Sequence, residues 1–152
     1  MKKLFLPLMR WTLLAVLLAG CSGPNIISVG LHIELEHIDR AADGSVLVTW
    51  RMLNPNIATY LVKMSSHKIM LNGTLIGTTA QKGPLGLPAQ QNAEETTPLV
   101  SAGAAADQVI TAAAAAGTAS YKVDTDIVIQ LFDEALDRST LTNSGTVKVA
   151  AK

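Results

Sequence analysis

The sequence predicts a mostly β domain, an antiparallel β-sandwich of about seven strands with one helix. Three observations favour this class. Apolar and polar residues alternate in several short segments, which is the period of a half-buried strand. The dipeptide Asn72-Gly73 separates two apolar segments, and this is the strongest short-range hairpin signal. Residues 102–117 form a single Ala-rich segment with the composition of a helix. Sheet layers joined by Greek-key connections are the natural architecture for such a pattern.

The first 20 residues have the pattern of a secretory signal rather than that of a folded element. Lys2, Lys3 and Arg10 give a basic start. Trp11–Gly20 is apolar, but it is shorter than the roughly 20 residues that span a bilayer. The tetrapeptide Leu18-Ala19-Gly20-Cys21 resembles a bacterial lipobox. In that family the cysteine thiol is acylated with diacylglycerol, and the signal is cleaved just before it.

Cys21 is the one cysteine of the chain, so no disulfide competes for its thiol. The resemblance implies a cleaved signal peptide at 1–20, a lipidated tether at 21–27 with Cys21 as the attachment site, and a domain at 28–150. Acyl chains on Cys21 would anchor the protein to a membrane, because each buried methylene contributes about 0.8 kcal/mol. By likeness to enterobacterial lipoproteins, Ser22 favours the outer membrane. We therefore expect a bacterial envelope protein that faces the periplasm.

The charge balance excludes a nucleic-acid-binding surface. The chain has 12 Lys and Arg against 12 Asp and Glu, and three of the basic residues precede residue 21, which leaves nine basic against twelve acidic side chains. A domain with this excess of acid lacks the basic footprint that nucleic acids attract. The single cysteine also leaves the mature chain without a cysteine-based metal site or nucleophile.

The first half of the domain alternates as strands do. In residues 28–37, one set of side chains faces one way and the other set faces the opposite way. The apolar set is Val29, Leu31, Ile33 and Leu35, and the polar set is His32, Glu34 and Glu36. Residues 45–53, rich in β-branched side chains, predict a second strand. Residues 60–64 and 67–71 predict a third, irregular strand, which pairs back on 74–77 through the predicted turn.

The second half mixes a loop, a helix and two further strands. Residues 81–92 contain two prolines and two glycines and predict a loop or an edge segment. Residues 95–101 allow a short strand interrupted by Pro98. Residues 118–132 return to alternation and 144–150 supply a final strand. In residues 118–132, the side chains on the inward side are Tyr121, Val123, Ile127, Ile129 and Leu131.

The helix is predicted over Ala102–Gly117, with Ser101 as a candidate N-cap and Gly117 at its end. Val109, Ile110 and Ala113 would share its inner face. Because this face is narrow, we expect the helix to pack close to a sheet through its alanines.

Two groupings of reactive side chains are weighed as sites, and each has a simpler interpretation. His32, Glu34 and Glu36 share a strand face that could ligate a metal, but no supporting partners are visible, so a solvated polar face is favoured. Ser65 and Lys68 match the Ser-x-x-Lys spacing of penicillin-binding enzymes. That chemistry places the serine at a helix start with companion motifs, whereas this segment is strand-like and the companions are absent.

The acidic residues near the end of the chain are expected to be solvated charges. They are Asp124, Asp126, Asp133, Glu134 and Asp137. A calcium loop needs more ligands at fixed steps and a glycine at its sharp turn. The chain also lacks the Gly-x-Ser-x-Gly elbow, the phosphate-binding glycine loop and the His-Glu-x-x-His zinc motif. We therefore expect no metal, no cofactor and no enzymatic activity.

Residues 47–77 resemble the late embryogenesis abundant group 2 family, in particular its WHy (water stress and hypersensitive response) domain. That family has an apolar strand running into Asn-Pro-Asn, then a Tyr-containing strand, a strand ending in Asn-Gly and a short return with Gly. The matching residues, in the same order, are Asn54, Pro55, Asn56, Tyr60, Asn72, Gly73 and Gly77. The likeness extends at pattern level over residues 28–150, and residues 89–103 depart from the family pattern.

The resemblance implies a β-sandwich similar to fibronectin type III or immunoglobulin domains, with one helix. It also implies a non-enzymatic, protective or structural role in desiccation or envelope stress, by contacts with client proteins or the membrane. Two other classes stay open. One is the binding of a lipid or hydrophobic ligand in a groove between sheet and helix. The other is an envelope-assembly adaptor that docks a partner by strand addition.

The segment Asn54-Pro55-Asn56 is interpreted as a rigid exit from the second strand rather than a recognition site. Pro55 donates no backbone hydrogen bond and pushes Asn54 toward extended geometry. Asn56 tolerates a left-handed turn, and both Asn side chains can bond local backbone. We expect Asn54→Ala to lower stability by about 1 kcal/mol.

Overall fold

The computed structural model describes residues 30–131 and 135–151, with side chains left out at Leu131 and Ala135. The described chain is mostly β with one helix, as predicted. The elements, in chain order, are β1 (His32–Arg40), β2 (Val46–Leu53), β3 (Tyr60–Leu71), β4 (Thr74–Ala80), β5 (Leu85–Leu87), β6 (Asn92–Pro98), β7 (Val100–Ser101), α1 (Ala104–Ala116), β8 (Thr118–Leu131) and β9 (Ala135–Ala151). The predicted signal and tether, with Cys21, lie outside the described residues, as do Val29, Asp133 and Glu134.

The strands form one hydrogen-bonded sheet in the order β6-β2-β1-β9-β8-β3-β4-β7, with β5 added on β3. Every pair is antiparallel except β1 with β9, which run parallel from His37–Arg40 against Lys148–Ala151. This parallel pair joins what would be two separate layers, so the sheet curls continuously and is not clearly the fibronectin-like sandwich that was predicted. The described residues hold nine strands instead of about seven, since the predicted loop contains β5 and the short strand divides into β6 and β7.

The two edges of the sheet meet. β6 and β7 are separated only by Leu99, so the chain passes directly from one edge to the other. The hydroxyl of Thr79 in β4 donates to the carbonyl of Pro98 at 2.8 Å, and its oxygen lies 2.6 Å from that of Thr97. The curled sheet therefore encloses its own core and brings β6 against β4.

The core follows the predicted alternation. Leu31, Ile33 and Leu35 are buried, and a bulge between Leu35 and His37 turns Ile38 inward. The inward side of β8 is likewise buried at Tyr121, Val123, Ile127 and Ile129. The largest fully buried side chains are Trp50, Ile33, Ile38, Met52, Ile69, Leu71, Ile76, Leu87, Ile110, Ile127, Ile129 and His67. The third strand is one continuous element with an irregularity between Val62 and Met64, as predicted.

The helix begins later than predicted. Its N-cap is Gly103, not Ser101, because Ser101 is the last residue of β7 and pairs with Gly77. The Ser101 hydroxyl accepts the N–H of Gly103 at 3.1 Å and bonds Asp107 Oδ1 at 3.1 Å, so it supports the turn before the helix. Gly117 ends the helix in the left-handed conformation, as predicted.

The helix packs through its small side chains, and the last strand is longer than predicted. Ala106, Ile110 and Ala113 are buried, whereas Val109 is only half-buried. β9 starts at Ala135 and not at residue 144, and it pairs with β8 over its first 14 positions. In the part of the chain that the structure describes, no helix is long and apolar enough to cross a membrane.

Candidate functional site

The side chain of Asn54 joins two loops at one end of the domain. It is 2% exposed, immediately after β2. Its Nδ2 donates to the carbonyls of Ala58 at 2.8 Å and Pro88 at 3.0 Å and lies 3.3 Å from that of Leu87. Its Oδ1 accepts the N–H of Asn56 at 3.0 Å. A buried amide with these partners pins the loop after β2 to the loop after β5.

These two loops, residues 54–59 and 88–91, lie side by side. The Gln90 N–H donates to the Asn56 carbonyl at 3.0 Å, and the Asn54 N–H donates to the Gln91 carbonyl at 2.9 Å. Within these two loops, Gln90 has a positive φ, at 56°, and Asn56 does not. Neither loop contains a charged residue.

The chain enters the domain at this same end. A Cβ placed on Gly30 would lie 3.1 Å from Pro55 Cγ, so the first described residue is in contact with the Asn-Pro-Asn loop. Two residues beyond Pro55, the side chain of Ile57 is 88% exposed. It is the most exposed of the large hydrophobic side chains that the structure describes.

The remaining motif residues lie at the opposite end of β3. Asn72 and Gly73 have φ of 48° and 81°, which confirms the predicted hairpin. Asn72 Oδ1 accepts the N–H of Ser120 at 3.1 Å. A Cβ on Gly77, whose φ is 153°, would lie 2.2 Å from the Val100 carbonyl oxygen, so only glycine fits the close approach of β7. The motif residues therefore do not converge on one site.

The acidic face of β1 is occupied by an arginine. Arg51 Nη2 lies 2.8 Å from Glu36 Oε1 and also bonds Glu34. The hydrogen bond that Arg51 donates to Glu34 raises the pKa of Arg51, which keeps the guanidinium charged. His32 contacts the Asn143 amide through Nδ1. A polar cleft of about 370 Å³ is lined by His32, Glu34, Glu36 and Arg51. Within residues 30–131 and 135–151, no His, Cys, Asp and Glu side chains group as metal ligands.

Ser65 and Lys68 do not form a catalytic pair. Ser65 is buried and Lys68 is exposed, because residues three apart on a strand face opposite sides. Ser65 Oγ instead lies 3.1 Å from His67 Nε2. The segment is part of β3 and not a helix start, so the arrangement lacks the geometry of Ser-x-x-Lys enzymes.

The acidic residues of β8 bond neighbouring side chains. Asp124 Oδ1 accepts from the Thr142 hydroxyl at 2.7 Å, and this bond, followed by one from Lys122, lowers the pKa of Asp124. Asp126 Oδ1 accepts from Thr140 at 2.8 Å. These contacts lie on the exposed side of a β8–β9 ladder, where carboxylates remain hydrated.

A buried polar cluster around His67 was missed by the sequence reasoning. His67 is fully buried; its Nδ1 lies 2.9 Å from Thr125 Oγ1, and its ring centroid lies 4.4 Å from that of Trp50. Trp50 Nε1 donates to Thr97 Oγ1 at 3.0 Å. Burial lowers the pKa of His67 to about 4. The alternation of the strand could have predicted its burial, since His67 lies on the same inward side of β3 as Ile69 and Leu71.

An apolar groove of about 450 Å³ lies between the helix and one end of the sheet. It is lined by Arg40, Ala41, Ala42, Thr111, Ala114, Ala115 and Ala151. The alanines of the helix leave this space because they have no side chain beyond Cβ. It lies between sheet and helix, where the ligand-binding hypothesis expects a groove.

Comparisons with known proteins place the fold and leave the family open. No family model matches the chain. No curated protein matches it either. Among solved structures, the chain is similar to that of an Arabidopsis thaliana protein, with 16% identity, 78% of each chain covered and a TM-score of 0.51. A solution structure of a candidate late embryogenesis abundant protein matches with 11% identity, 93% of this chain and 86% of that chain covered and a TM-score of 0.49. A crystal structure of an Archaeoglobus fulgidus protein matches with 10% identity, 79% and 98% coverage and a TM-score of 0.45. At such identities the likeness concerns the fold alone.

Proposed function

We propose that this protein is a membrane-anchored lipoprotein whose folded domain has a non-enzymatic, protective role of the late embryogenesis abundant group 2 type. One observation carries the proposal: two motif residues of the block 47–77, Asn54 and Gly77, occupy positions that require their residue types. Asn54 holds two loops together through one buried amide, and Gly77 admits the close approach of Val100. These are structural demands of the kind that the family resemblance implies.

The non-enzymatic part of the proposal is supported by what surrounds the reactive groups. The buried pair of Ser65 and His67 has no exposed surface from which a substrate would be reached. In a serine catalytic triad a carboxylate bonds the other nitrogen of the histidine and stabilises the imidazolium. Here that nitrogen bonds the hydroxyl of Thr125, which carries no charge. The carboxylates of Glu34 and Glu36 both form ion pairs with Arg51.

The anchoring part rests on the lipobox-like residues Leu18–Cys21. We place the protein in the bacterial cell envelope, attached through acyl chains on Cys21 and facing the periplasm from the outer membrane. The fold would then act at a short distance from the bilayer, on client proteins or on lipid.

A drying assay tests the protective role. A desiccation-sensitive enzyme is dried and rehydrated with the delipidated mature protein, or with an equal mass of a globular control protein that has no protective role. We expect a higher recovered enzyme activity with the mature protein. Recovery equal to that with the control protein would contradict the proposal, whatever the state of Cys21.

A second candidate function is the binding of a lipid acyl chain, favoured by the apolar groove beside α1. Native mass spectrometry of the purified protein would detect co-purifying lipid. Ala114→Leu narrows the groove and is expected to reduce the lipid-bound fraction, whereas Ala112→Leu, on the exposed side of the same helix, is the matched control. Absence of lipid in both the unmodified protein and the control would reject this function.

A further inference from the structure

We infer that the end of the domain formed by loops 54–59 and 88–91 lies against the lipid bilayer, with Ile57 inserted into its interface. This inference rests on the proposed anchoring at Cys21 and goes beyond it, because an anchored domain can present any of its faces to the membrane.

The tether brings this end close to the membrane. Gly30 is nine residues after Cys21 in the chain, and Gly30 contacts Pro55 in the loop after β2. An extended chain covers at most about 3.3–3.6 Å per residue, so the loop lies within roughly 30 Å of the acylated residue. The opposite end of β1 lies nine strand residues further away, again about 30 Å.

The surface of these two loops suits an uncharged, partly apolar environment. Ile57 is 88% exposed and stands between the half-buried residues Asn56 and Ala58. Its loop and the neighbouring loop carry no charge. The mature chain has more acidic than basic residues, which anionic lipids repel, and the two loops contribute none of that charge.

The loop is held in one shape, which lowers the entropic cost of inserting a side chain. Asn54 bonds the backbone of Ala58 on the far side of Ile57, and Pro55 fixes the backbone angle on the near side. Ile57 is thus presented between two constrained points and not on a free segment. An apolar side chain that is this exposed and held in one position can enter a bilayer interface at a low entropic cost.

Tryptophan quenching by brominated lipid tests the inference in the full acylated protein. The mature chain has one tryptophan, Trp50, which is buried and gives the background. Ile57→Trp and Ala150→Trp variants are reconstituted in vesicles of phosphatidylethanolamine and phosphatidylglycerol with brominated acyl chains. Ala150 is exposed and pairs with Asp39 at the far end of β1, outside the apolar groove beside α1. We expect at least twofold stronger quenching of the new tryptophan at 57 than at 150.

A second probe leaves Ile57 in place, since tryptophan itself favours membrane interfaces. Gln91 is exposed in the neighbouring loop, and Gln91→Trp is expected to be quenched when Ile57 is present and to lose that quenching in the Gln91→Trp, Ile57→Asp double variant. A mass spectrum of each sample reports the acylation of Cys21.

The outcomes separate the two proposals. The orientation is overturned, and the anchor left intact, if acylated protein shows no stronger quenching of tryptophan at 57 than at 150. The same holds if quenching of the tryptophan at 91 is unchanged by Ile57→Asp. An unmodified Cys21 overturns the anchor and the orientation together.

Discussion

Acidification is expected to destabilise the domain through His67. The imidazole is fully buried between Trp50, Ser65 and Thr125, and its burial lowers the pKa from 6.5 to about 4. The unfolded chain therefore takes up a proton near pH 6.5, while the folded protein does not until near pH 4. The stabilising contribution is present in full above pH 6.5, is lost as the pH falls toward 4, and changes no further below that.

The magnitude follows from the two pKa values. Each pH unit between them corresponds to 1.36 kcal/mol, so the full effect is about 3 kcal/mol. At pH 5 the unfolded state is largely protonated and the folded state largely neutral, which gives a loss of about 2 kcal/mol relative to pH 8. This is a large share of the stability of a small domain.

Urea unfolding between pH 8 and pH 5 measures the effect, with His67→Gln as the matched control. Glutamine keeps hydrogen-bonding groups toward Ser65 and Thr125 but does not titrate. Asp43 and Asp124 do not interfere, because their hydrogen bonds from Ser45 and Thr142 lower pKa values that already lie below this window. We expect the unmodified protein to lose about 2 kcal/mol more than the variant. Equal losses in the two proteins would refute the reasoning.

Two further predictions concern the motif residues. Asn54→Ala leaves buried backbone groups without their partner and is expected to lower the free energy of unfolding by about 2–3 kcal/mol, measured by urea titration; a loss below 0.5 kcal/mol would contradict the role of the buried amide. Gly77→Ala forces a Cβ against the Val100 carbonyl and is expected to cost about 2 kcal/mol or more by the same titration. Gly83→Ala, where a Cβ meets nothing within 4 Å, is its control, and equal effects at the two glycines would contradict the close approach.

The local pattern of the chain predicts much of the fold. The inward positions of β1 and β8 follow from alternation, and the hairpin at Asn72-Gly73 follows from the conformational tolerance of its two residues. The continuous sheet does not follow, because the parallel pairing of β1 with β9 joins segments more than 100 residues apart. The strand β5 does not follow from the local pattern either. Its three residues lie among prolines and glycines, and they form a strand by pairing with β3.

At the candidate site, too, local features could be predicted and contacts between distant segments could not. The interpretation of Asn54 as an exit from β2 uses only its neighbours Pro55 and Asn56. The partners that make it a buried junction, Leu87 and Pro88, are more than 30 residues away and carry no local signal. The sequence estimate of about 1 kcal/mol for Asn54→Ala is therefore smaller than the value the contacts indicate. His67 was missed for the same reason, since Thr125 is 58 residues away.

A mass spectrum of the natively purified mature protein tests the central proposal most directly. It reports the first residue of the chain and any modification of Cys21 in one measurement. We expect a chain that begins at Cys21 and carries acyl chains on that residue. A chain that begins at Met1 with an unmodified Cys21 would contradict the anchored lipoprotein.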